Sequence, residues 1–309
     1  MDQPLNRRDV LKVGAGGAAA MLAGAVTMSP AIAEESSSKS ARRPIKKAVM
    51  WDMIQGGNSV LEKFRMLKDA GFDGVEMNSP NGPPNDEIKR ACDQTGILVE
   101  GMVDSVHWKI TLSHPNPEVR AGGLKALEQA LRDCKELGGT SVLLVPGVVN
   151  ADVTYDQCYQ RSQEEIRKAI PLAQELGVKI AIEDVWNDFL LSPLEAARYV
   201  DEFNNPAAVA WHMDIGNVMA YGYPEQWIHI LGPRIVKLHV KEFSRTKMNR
   251  EGRWKGFDVK LGEGDINWKA VMSALDAANY HTWMCAEVTG GGLDELKDIA
   301  RRMDRILSL

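Results

Sequence analysis

Cysteine and positive charge are both scarce in this chain of 309 residues. Its four cysteines show no C-x-x-C spacing, so neither a disulfide scaffold nor a cysteine metal motif is indicated. A chain of this length buries roughly 75% of its unfolded surface and needs no such staples. Lys and Arg number 37 against 42 Asp and Glu. Because nucleic-acid binding requires a concentrated basic face, this balance argues against a nucleic-acid partner.

Long apolar runs are also absent, and the first residues predict an export signal instead of a membrane span. A twin arginine, Arg7-Arg8, precedes a glycine- and alanine-rich apolar run at 13–26, which is too short to cross a bilayer. Ala31-Ile32-Ala33 then has the small-x-small pattern of a cleavage site. We predict a signal peptide at 1–33, a flexible tether at 34–44 and a single catalytic domain at 45–309, not embedded in a membrane. The first segment resembles a twin-arginine signal, which implies the twin-arginine export machinery as a partner and a periplasmic location.

The rest of the chain alternates short β-rich runs with segments of helical periodicity. The predicted strands are 47–51, 74–77, 98–104, 141–146, 178–183, 208–214, 235–240 and 282–288. Single helices between strands imply parallel pairing. Eight such units favour an α/β fold of the (β/α)8 TIM-barrel class over an open sheet, and no dinucleotide motif follows the first strand. Within this pattern, a helix is predicted at 163–176 and a basic loop at 244–256.

In such a barrel, chemistry is expected at the C-terminal ends of the strands. The last four predicted strands end in metal-type side chains: Glu183, Asp214, His239 and Glu287. Adjacent strands are about 4.8 Å apart, so these side chains can converge on one ion. Three carboxylates and one imidazole suit one divalent ion, with Mn²⁺ preferred and Mg²⁺, Co²⁺ or Zn²⁺ as alternatives. Glu183 and Glu287, from the fifth and eighth strands, would then lie on opposite sides of the ion.

These residues, with the segments 214–217, 239–242 and 262–267, resemble the xylose-isomerase-like sugar isomerase/epimerase superfamily, particularly its ketose 3-epimerases. The resemblance implies metal binding by the four residues, acid/base roles for the two glutamates, and a carbohydrate substrate. It implies a substrate contact at Arg245, six residues after the histidine. Two positions depart from the family: Asn217 replaces a frequent histidine, and Phe189 replaces a glutamate frequent in the 3-epimerases. By family analogy a homo-oligomer is also expected.

Other polar and aromatic residues fall near the predicted strand ends. Lys241 could neutralise an enediolate or hold a distal hydroxyl, and tryptophans could stack on sugar faces. The predicted substrate contacts are Arg245, Lys241, His107, Glu76, Asn217, Trp108 and Trp186. For His107 and Glu76 a structural hydrogen bond is an equal alternative, and for the tryptophans it is rim packing.

The predicted function is a metal-dependent sugar isomerase or epimerase that moves a proton through a cis-enediolate on a keto-sugar. Because sugar phosphates are held inside cells, an exported enzyme is expected to act on an unphosphorylated substrate. The basic residues at 244–256 keep a phosphate clamp open as a counter-hypothesis. Two alternatives use the same residues: a metal-dependent lyase or hydrolase acting on 3-keto-glycosides, and a sugar-binding protein without catalysis.

Overall fold

The computed structural model describes residues 43–309, and the predicted signal peptide at 1–33 lies outside the described residues, as does the tether up to residue 42. Eight parallel strands close into a barrel in chain order. They are β1 (Lys46–Met50), β2 (Gly74–Ser79), β3 (Leu98–Asp104), β4 (Ser141–Leu144), β5 (Lys179–Glu183), β6 (Val209–Asp214), β7 (Ile235–Val240) and β8 (Trp283–Ala286). The closing pair joins β1 to β8 in parallel, with Ala48 opposite Cys285. The predicted (β/α)8 barrel is therefore confirmed.

Helices follow the strands and cover the outside of the barrel. They are α1 (Val60–Ala70), α2 (Asn85–Thr95), α3 (Pro117–Glu136), α4 (Tyr155–Leu176), α5 (Pro193–Asp201), α6 (Ile215–Met219), α7 (Pro224–Leu231), α8 (Arg245–Glu251), α9 (Trp268–Ala277) and α10 (Leu293–Leu307). The ends of α1 illustrate why they form where they do. Ser59 Oγ accepts a hydrogen bond from the Glu62 amide, and Gly71 ends the helix at a φ of 87°.

Two helical segments differ from the prediction. Helix α4 begins at Tyr155, eight residues before the predicted start, because Thr154 and Gln157 form a capping box there. The segment predicted as a basic loop contains α8, whose first turn is capped by Ser244 Oγ accepting from the Lys247 amide. In both segments a side-chain cap sets where the helix begins, and the hydrophobic periodicity of the sequence does not reveal such caps.

Buried charge lies inside the barrel as well as at its mouth. The Lys237 ammonium forms an ion pair with the Glu100 carboxylate, and both side chains are almost completely buried. Either charge would be very costly to bury without a partner of opposite sign, so each group depends on the other.

Membrane-spanning helices and cysteine pairing can both be checked within the described residues. Within residues 43–309 no helix has the length and apolarity that a bilayer crossing requires. All four cysteines are free thiols, and Cys134, Cys158 and Cys285 are buried. Buried free cysteines of this kind pack as small hydrophobic residues.

Candidate active site

The four residues predicted as metal ligands meet at one point of the barrel mouth. Glu183 and Asp214 are the last residues of β5 and β6, His239 is the penultimate residue of β7, and Glu287 directly follows β8. Each offers one ligand atom, and these atoms all lie within 4.8 Å of one another. Parallel strands bring their carboxyl ends to the same rim, so residues more than 100 positions apart in sequence become neighbours.

His239 connects the cluster to a further glutamate beneath it. Its Nδ1 lies 3.0 Å from Glu183 Oε1 and 3.0 Å from Glu287 Oε2. On the other side of the ring, Nε2 lies 2.7 Å from Glu76 Oε2. Burial acts to lower the pKa of His239, but Glu76 and the two glutamates of the cluster hold it well above its usual value, so both ring nitrogens carry a proton. After loss of the Nδ1 proton, Nε2–H would still donate to Glu76 and the Nδ1 lone pair would face the other ligands, which is the arrangement typical of a metal-bound histidine. Glu76 is only 2% exposed and orients His239, which agrees with the structural alternative for this residue, and its substrate contact stays a prediction.

Lys241 places a second cation in the cluster. Its Nζ lies 2.7 Å from Glu287 Oε2 and 3.0 Å from Asp214 Oδ2. Burial lowers the pKa of Lys241, but Asp214, Glu287 and Glu183 outweigh it and hold that pKa above the usual range. Lys241 was predicted as a substrate contact; it also lines the cavity described below, and its ammonium is shared with two of the predicted ligands.

The carboxylates of the cluster have opposed proton affinities. Burial raises the pKa of Glu183 to about 7, with His239 opposing that shift. Burial likewise raises the pKa of Asp214 to about 6 against the effect of Lys241. Burial also acts to raise the pKa of Glu287, but Lys241 and His239 together bring it below its usual range. Near neutral pH one glutamate can therefore hold a proton while the other stays ionised.

The donor set fits a divalent cation. Three carboxylates and an imidazole are the ligands of hard or borderline ions such as Mn²⁺. Asp214 Oδ2 is buried, accepts no hydrogen bond and faces the Lys241 ammonium, so it is available to a cation. A second cluster of Glu76, His239 and Cys285 shares the histidine. Burial holds the pKa of the Cys285 thiol well above its usual range, so this sulfur is not a thiolate and the second cluster is the poorer site.

Asn217 and an unpredicted aspartate position the Asp214 ligand. The backbone amide of Asn217 donates to Asp214 Oδ1 at 2.7 Å, and its side-chain Nδ2 donates to the Asp184 carbonyl oxygen at 2.9 Å. The buried Asp184 carboxylate in turn accepts hydrogen bonds from the Asp214 amide and from Trp211 Nε1. Asn217 thus supports a ligand as well as lining the cavity. The adjacent acidic pair 183–184 was the only signal in the sequence that pointed to Asp184.

Two of the predicted substrate contacts face other parts of the protein. Arg245 Nε donates to the Met219 carbonyl oxygen at 2.7 Å, its Nη2 donates to the Gly222 carbonyl oxygen, and the guanidinium lies over Tyr223. These contacts anchor α8 to the end of α6, and the sugar contact expected at Arg245 stays a prediction. Trp108 is 48% exposed and lines a separate depression at the start of α3, which is likewise not the expected position.

His107 has a structural hydrogen bond, as its alternative interpretation proposed. Its Nδ1 accepts from the Val145 amide at 3.1 Å. Burial lowers the pKa of His107 to about 3, so the ring is neutral at physiological pH. His212 is also fully buried and neutral, because burial holds its pKa well below the usual value, and its ring centroid lies 4.2 Å from that of His239. Phe189 is buried among tyrosines, so this departure from the family pattern removes the side chain from the site.

Trp186 lies beside the site with both faces covered. Its Nε1 donates to the Asn217 carbonyl oxygen at 3.0 Å. The Arg253 guanidinium lies 4.2 Å from its ring centroid, while the rings of Trp254 and Phe257 pack at 4.7 and 5.0 Å. These contacts match the rim-packing alternative, and stacking of Trp186 on a sugar stays a prediction. The exposed ring of this aromatic group is that of Trp254, which is 70% exposed.

A cavity of about 920 Å³ opens beside Glu287. Its lining includes Asn217, Lys241 and Glu287, which belong to or adjoin the cluster, and also Trp254 and Phe257. Among the described residues, six carboxylates and three cations line it, so its charge is net negative. One of the carboxylates, Glu242, accepts hydrogen bonds from Trp268 Nε1 at 2.8 Å and from the Gly262 amide at 2.6 Å. It therefore fixes the segment after β7.

An eight-stranded parallel barrel with convergent carboxylates and an imidazole at its C-terminal rim defines a TIM-barrel protein with an enzyme-like site. The family model described as xylose isomerase-like TIM barrel matches residues 64–308, and the chain belongs to that family. The predicted superfamily is thus confirmed.

Curated relatives and solved structures agree with this assignment. L-ribulose-5-phosphate 3-epimerase UlaE of Shigella flexneri is 25% identical over 244 residues, which cover 74% of this chain and 81% of the relative. A D-tagatose 3-epimerase-like protein superposes with a TM-score of 0.72 at 17% identity, covering 85% of this chain and 97% of that one. The 3-keto-D-glucoside 4-epimerase YcjR from E. coli superposes with a TM-score of 0.69 at 19% identity, covering 85% and 98%. At these identities the two solved structures establish a shared fold.

Proposed function

We propose that this protein is a divalent-metal-dependent sugar epimerase or aldose–ketose isomerase acting on an unphosphorylated keto-sugar. The observation that carries the proposal is the convergence of Glu183, Asp214, His239 and Glu287, whose ligand atoms lie within 4.8 Å of one another. The similarity to a curated sugar-phosphate 3-epimerase along 74% of the chain supports the reaction class.

The chemistry follows from the donor set and from the two glutamates. When bound, a divalent ion supplies Lewis acidity that polarises a sugar carbonyl and its neighbouring hydroxyl. Glu287 is the ionised carboxylate and is 29% exposed toward the cavity, so it accepts the α-proton and leaves a cis-enediolate. Glu183, the other glutamate of the cluster, is the second acid/base group and gives a proton to the enediolate. Return to the same carbon from the opposite face gives an epimer, and return to the neighbouring carbon gives an isomer.

The charge around the site supports an unphosphorylated substrate. A phosphate would need free cations, whereas the cavity has more carboxylates than cations. Two basic residues of α8 and the following turn are already engaged: Lys247 Nζ donates to the Asp258 carbonyl oxygen, and Lys255 pairs with the Asp258 carboxylate. Together with the anchoring of Arg245, these contacts disfavour the phosphate clamp.

Proton exchange in D₂O tests this function. The full chain without residues 1–33 is incubated with Mn²⁺ and a panel of free ketoses, their phosphate esters and 3-keto-glycosides. Uptake of deuterium at an α-carbon with recovery of a stereoisomer is expected, and Glu183→Gln and Glu287→Gln should each lower its rate by roughly 10²–10⁴-fold. Glu165→Gln, a buried glutamate on α4, serves as the matched control.

Three outcomes contradict the proposal in different ways. Unchanged exchange in both glutamine variants removes the assigned acid/base pair. A clear preference for phosphate esters overturns the unphosphorylated substrate. Release of an aglycone without recovery of a stereoisomer shows elimination instead of epimerisation.

Two further parts of the proposal concern the metal and the location. We propose Mn²⁺ as the preferred ion, and parallel titrations with Mg²⁺, Co²⁺ and Zn²⁺ test that preference. We also propose export by the twin-arginine machinery to the periplasm, with cleavage after Ala33. N-terminal sequencing of the mature protein from the producing cells should begin at Glu34, and replacement of Arg7 and Arg8 by Lys should block export. Retention of an uncleaved chain in the cytoplasm would contradict this.

A further inference from the structure

The cavity beside the proposed active site is larger than one sugar ring needs. Its volume of about 920 Å³ is near the upper end of the roughly 300–1,000 Å³ of pockets that hold drug-sized ligands, and a single sugar ring is smaller than those. We call the lining next to the cluster, Asn217, Lys241 and Glu287, the inner end, and the lining with Trp254, Gly290 and Gly291 the outer part. The volume is continuous with the reacting end, so the outer part is available to the same ligand.

Trp254 is an aromatic surface that nothing in the described chain covers. Its side chain is 70% exposed, while the neighbouring Trp186 ring supports it at 4.7 Å. Trp186 is itself held by Arg253 on one face and by the hydrogen bond to the Asn217 carbonyl oxygen. A large exposed indole that is fixed from behind is a surface on which the C–H face of a sugar ring can stack without ordering the side chain first.

The part of the lining formed by Gly290 and Gly291 is also fixed in place. Gly291 donates its amide to the Met53 carbonyl oxygen at 3.1 Å, and Gln55 donates back to the Gly291 carbonyl oxygen at 3.0 Å. At Gly290 a Cβ atom would lie 1.8 Å from the Met53 carbonyl oxygen, so only glycine permits this approach. The two walls are therefore formed before any ligand arrives.

Charge decides which kind of group fits the outer part. Its cations are already paired: Lys260 with Glu295 and Asp298, and Arg302 with Glu263 and Asp298. The surplus of carboxylates disfavours an anionic group, while carboxylate oxygens accept hydrogen bonds from hydroxyls. A neutral, polyhydroxylated ring meets both conditions.

We propose that the outer cavity, between Trp254 and the Gly290 wall, is a second sugar subsite, and that the substrate is a disaccharide or other glycoside with its keto group on the ring at the inner end. This inference rests on the proposed function, because the inner end is assigned by the cluster of Glu183, Asp214, His239 and Glu287. It adds a substrate class, a neutral glycoside, to that assignment.

The test compares two substrates that share one oxidised ring. They are methyl glucoside oxidised to the ketone at C3 and a glucose disaccharide oxidised at the same carbon of one ring. With Mn²⁺ present, kcat/KM for α-proton exchange should be higher for the disaccharide. Trp254→Ala should lower the ratio of the two kcat/KM values by about five- to tenfold, the range expected for losing one aromatic contact. Leu194→Ala, with similar exposure at 71%, should leave the ratio unchanged.

A second measurement separates the subsite from the reaction. Calorimetry with the unoxidised disaccharide measures binding without any carbonyl. If neither oxidised sugar exchanges but disaccharide binding weakens in Trp254→Ala, the reaction class is wrong and the subsite stands. If exchange occurs with an unaltered ratio in Trp254→Ala, the subsite is overturned and the function stands. A change of oligomeric state in Trp254→Ala without a change in the ratio assigns the indole to a second copy of the chain and also overturns the subsite.

Discussion

Removal of the Glu76 carboxylate is expected to weaken metal binding without unfolding the barrel. Glu76 Oε2 lies 2.7 Å from His239 Nε2, and both side chains are at most 2% exposed. A hydrogen bond to a charged group contributes about 1.5–3 kcal/mol. Since 1.4 kcal/mol is a factor of ten, losing the acceptor that orients His239 should raise the Mn²⁺ Kd by roughly 10–100-fold.

Two substitutions at Glu76 separate orientation from charge. Glu76→Met has a similar size but no acceptor, so it should show the full loss. In Glu76→Gln the amide oxygen can still accept from Nε2–H, so the loss should be smaller. Glu76 also repels the buried Glu100 carboxylate, and both substitutions remove this repulsion.

Calorimetric titration with Mn²⁺ is the assay, with near-ultraviolet circular dichroism as the check on folding. Glu165→Gln is a matched control, because Glu165 is 4% exposed and lies on α4, where it pairs with Arg120. A folded Glu76→Met protein with the wild-type Kd would refute the reasoning. A higher Mn²⁺ Kd in Glu76→Gln than in Glu76→Met would also refute it.

Three further predictions concern stability. Lys237→Met leaves the Glu100 carboxylate buried and unpaired, so chemical denaturation should show a free energy of unfolding lower by about 3–5 kcal/mol. The double variant Lys237→Met with Glu100→Met should recover part of this loss. Equal stability of the single and double variants would contradict the prediction. Burial raises the pKa of Asp104 to about 7 from an unfolded value of 3.8, so the wild type should lose up to roughly 4 kcal/mol as pH rises from about 4 to 7. Chemical denaturation at pH 5 and pH 8 should show this decrease in the free energy of unfolding for the wild type and not for Asp104→Asn. The same decrease in wild type and variant would count against the prediction. Mn²⁺ at about 1,000 times its Kd should stabilise the protein by about 4 kcal/mol relative to EDTA-treated protein in thermal scans, and Asp214→Asn should reduce this gain; an equal gain in the variant would exclude Asp214 as a ligand.

The barrel and its metal cluster were accessible from the sequence because both depend on regular patterns. Short β-rich runs separated by helices fix parallel neighbours, and parallel neighbours bring their carboxyl ends to one rim. Glu183, Asp214, His239 and Glu287 occupy these ends, so their proximity followed from strand order alone. The structure brings the four residues together, and their role as ligands stays a prediction.

The supporting contacts were not accessible in the same way. The partner of His239 Nε2 is Glu76, which is 163 positions away on β2, and only the closed barrel places the two side chains across its interior. Arg245 has the expected offset from His239, but a helix begins at that residue and turns its guanidinium toward the Met219 carbonyl oxygen. Spacing along the chain predicted which residues reach the rim, and it did not predict where long side chains point after it.

The Lys241 ammonium has a consequence for how the site comes together. Three carboxylates crowded at one rim would push one another apart in a protein that had not yet met an ion. Because the ammonium lies within 3.0 Å of both Asp214 and Glu287, the barrel supplies its own counter-charge, and folding does not have to wait for a cation. An ion that binds between Asp214 and Glu287 would therefore compete with the Lys241 ammonium for the same carboxylate oxygens.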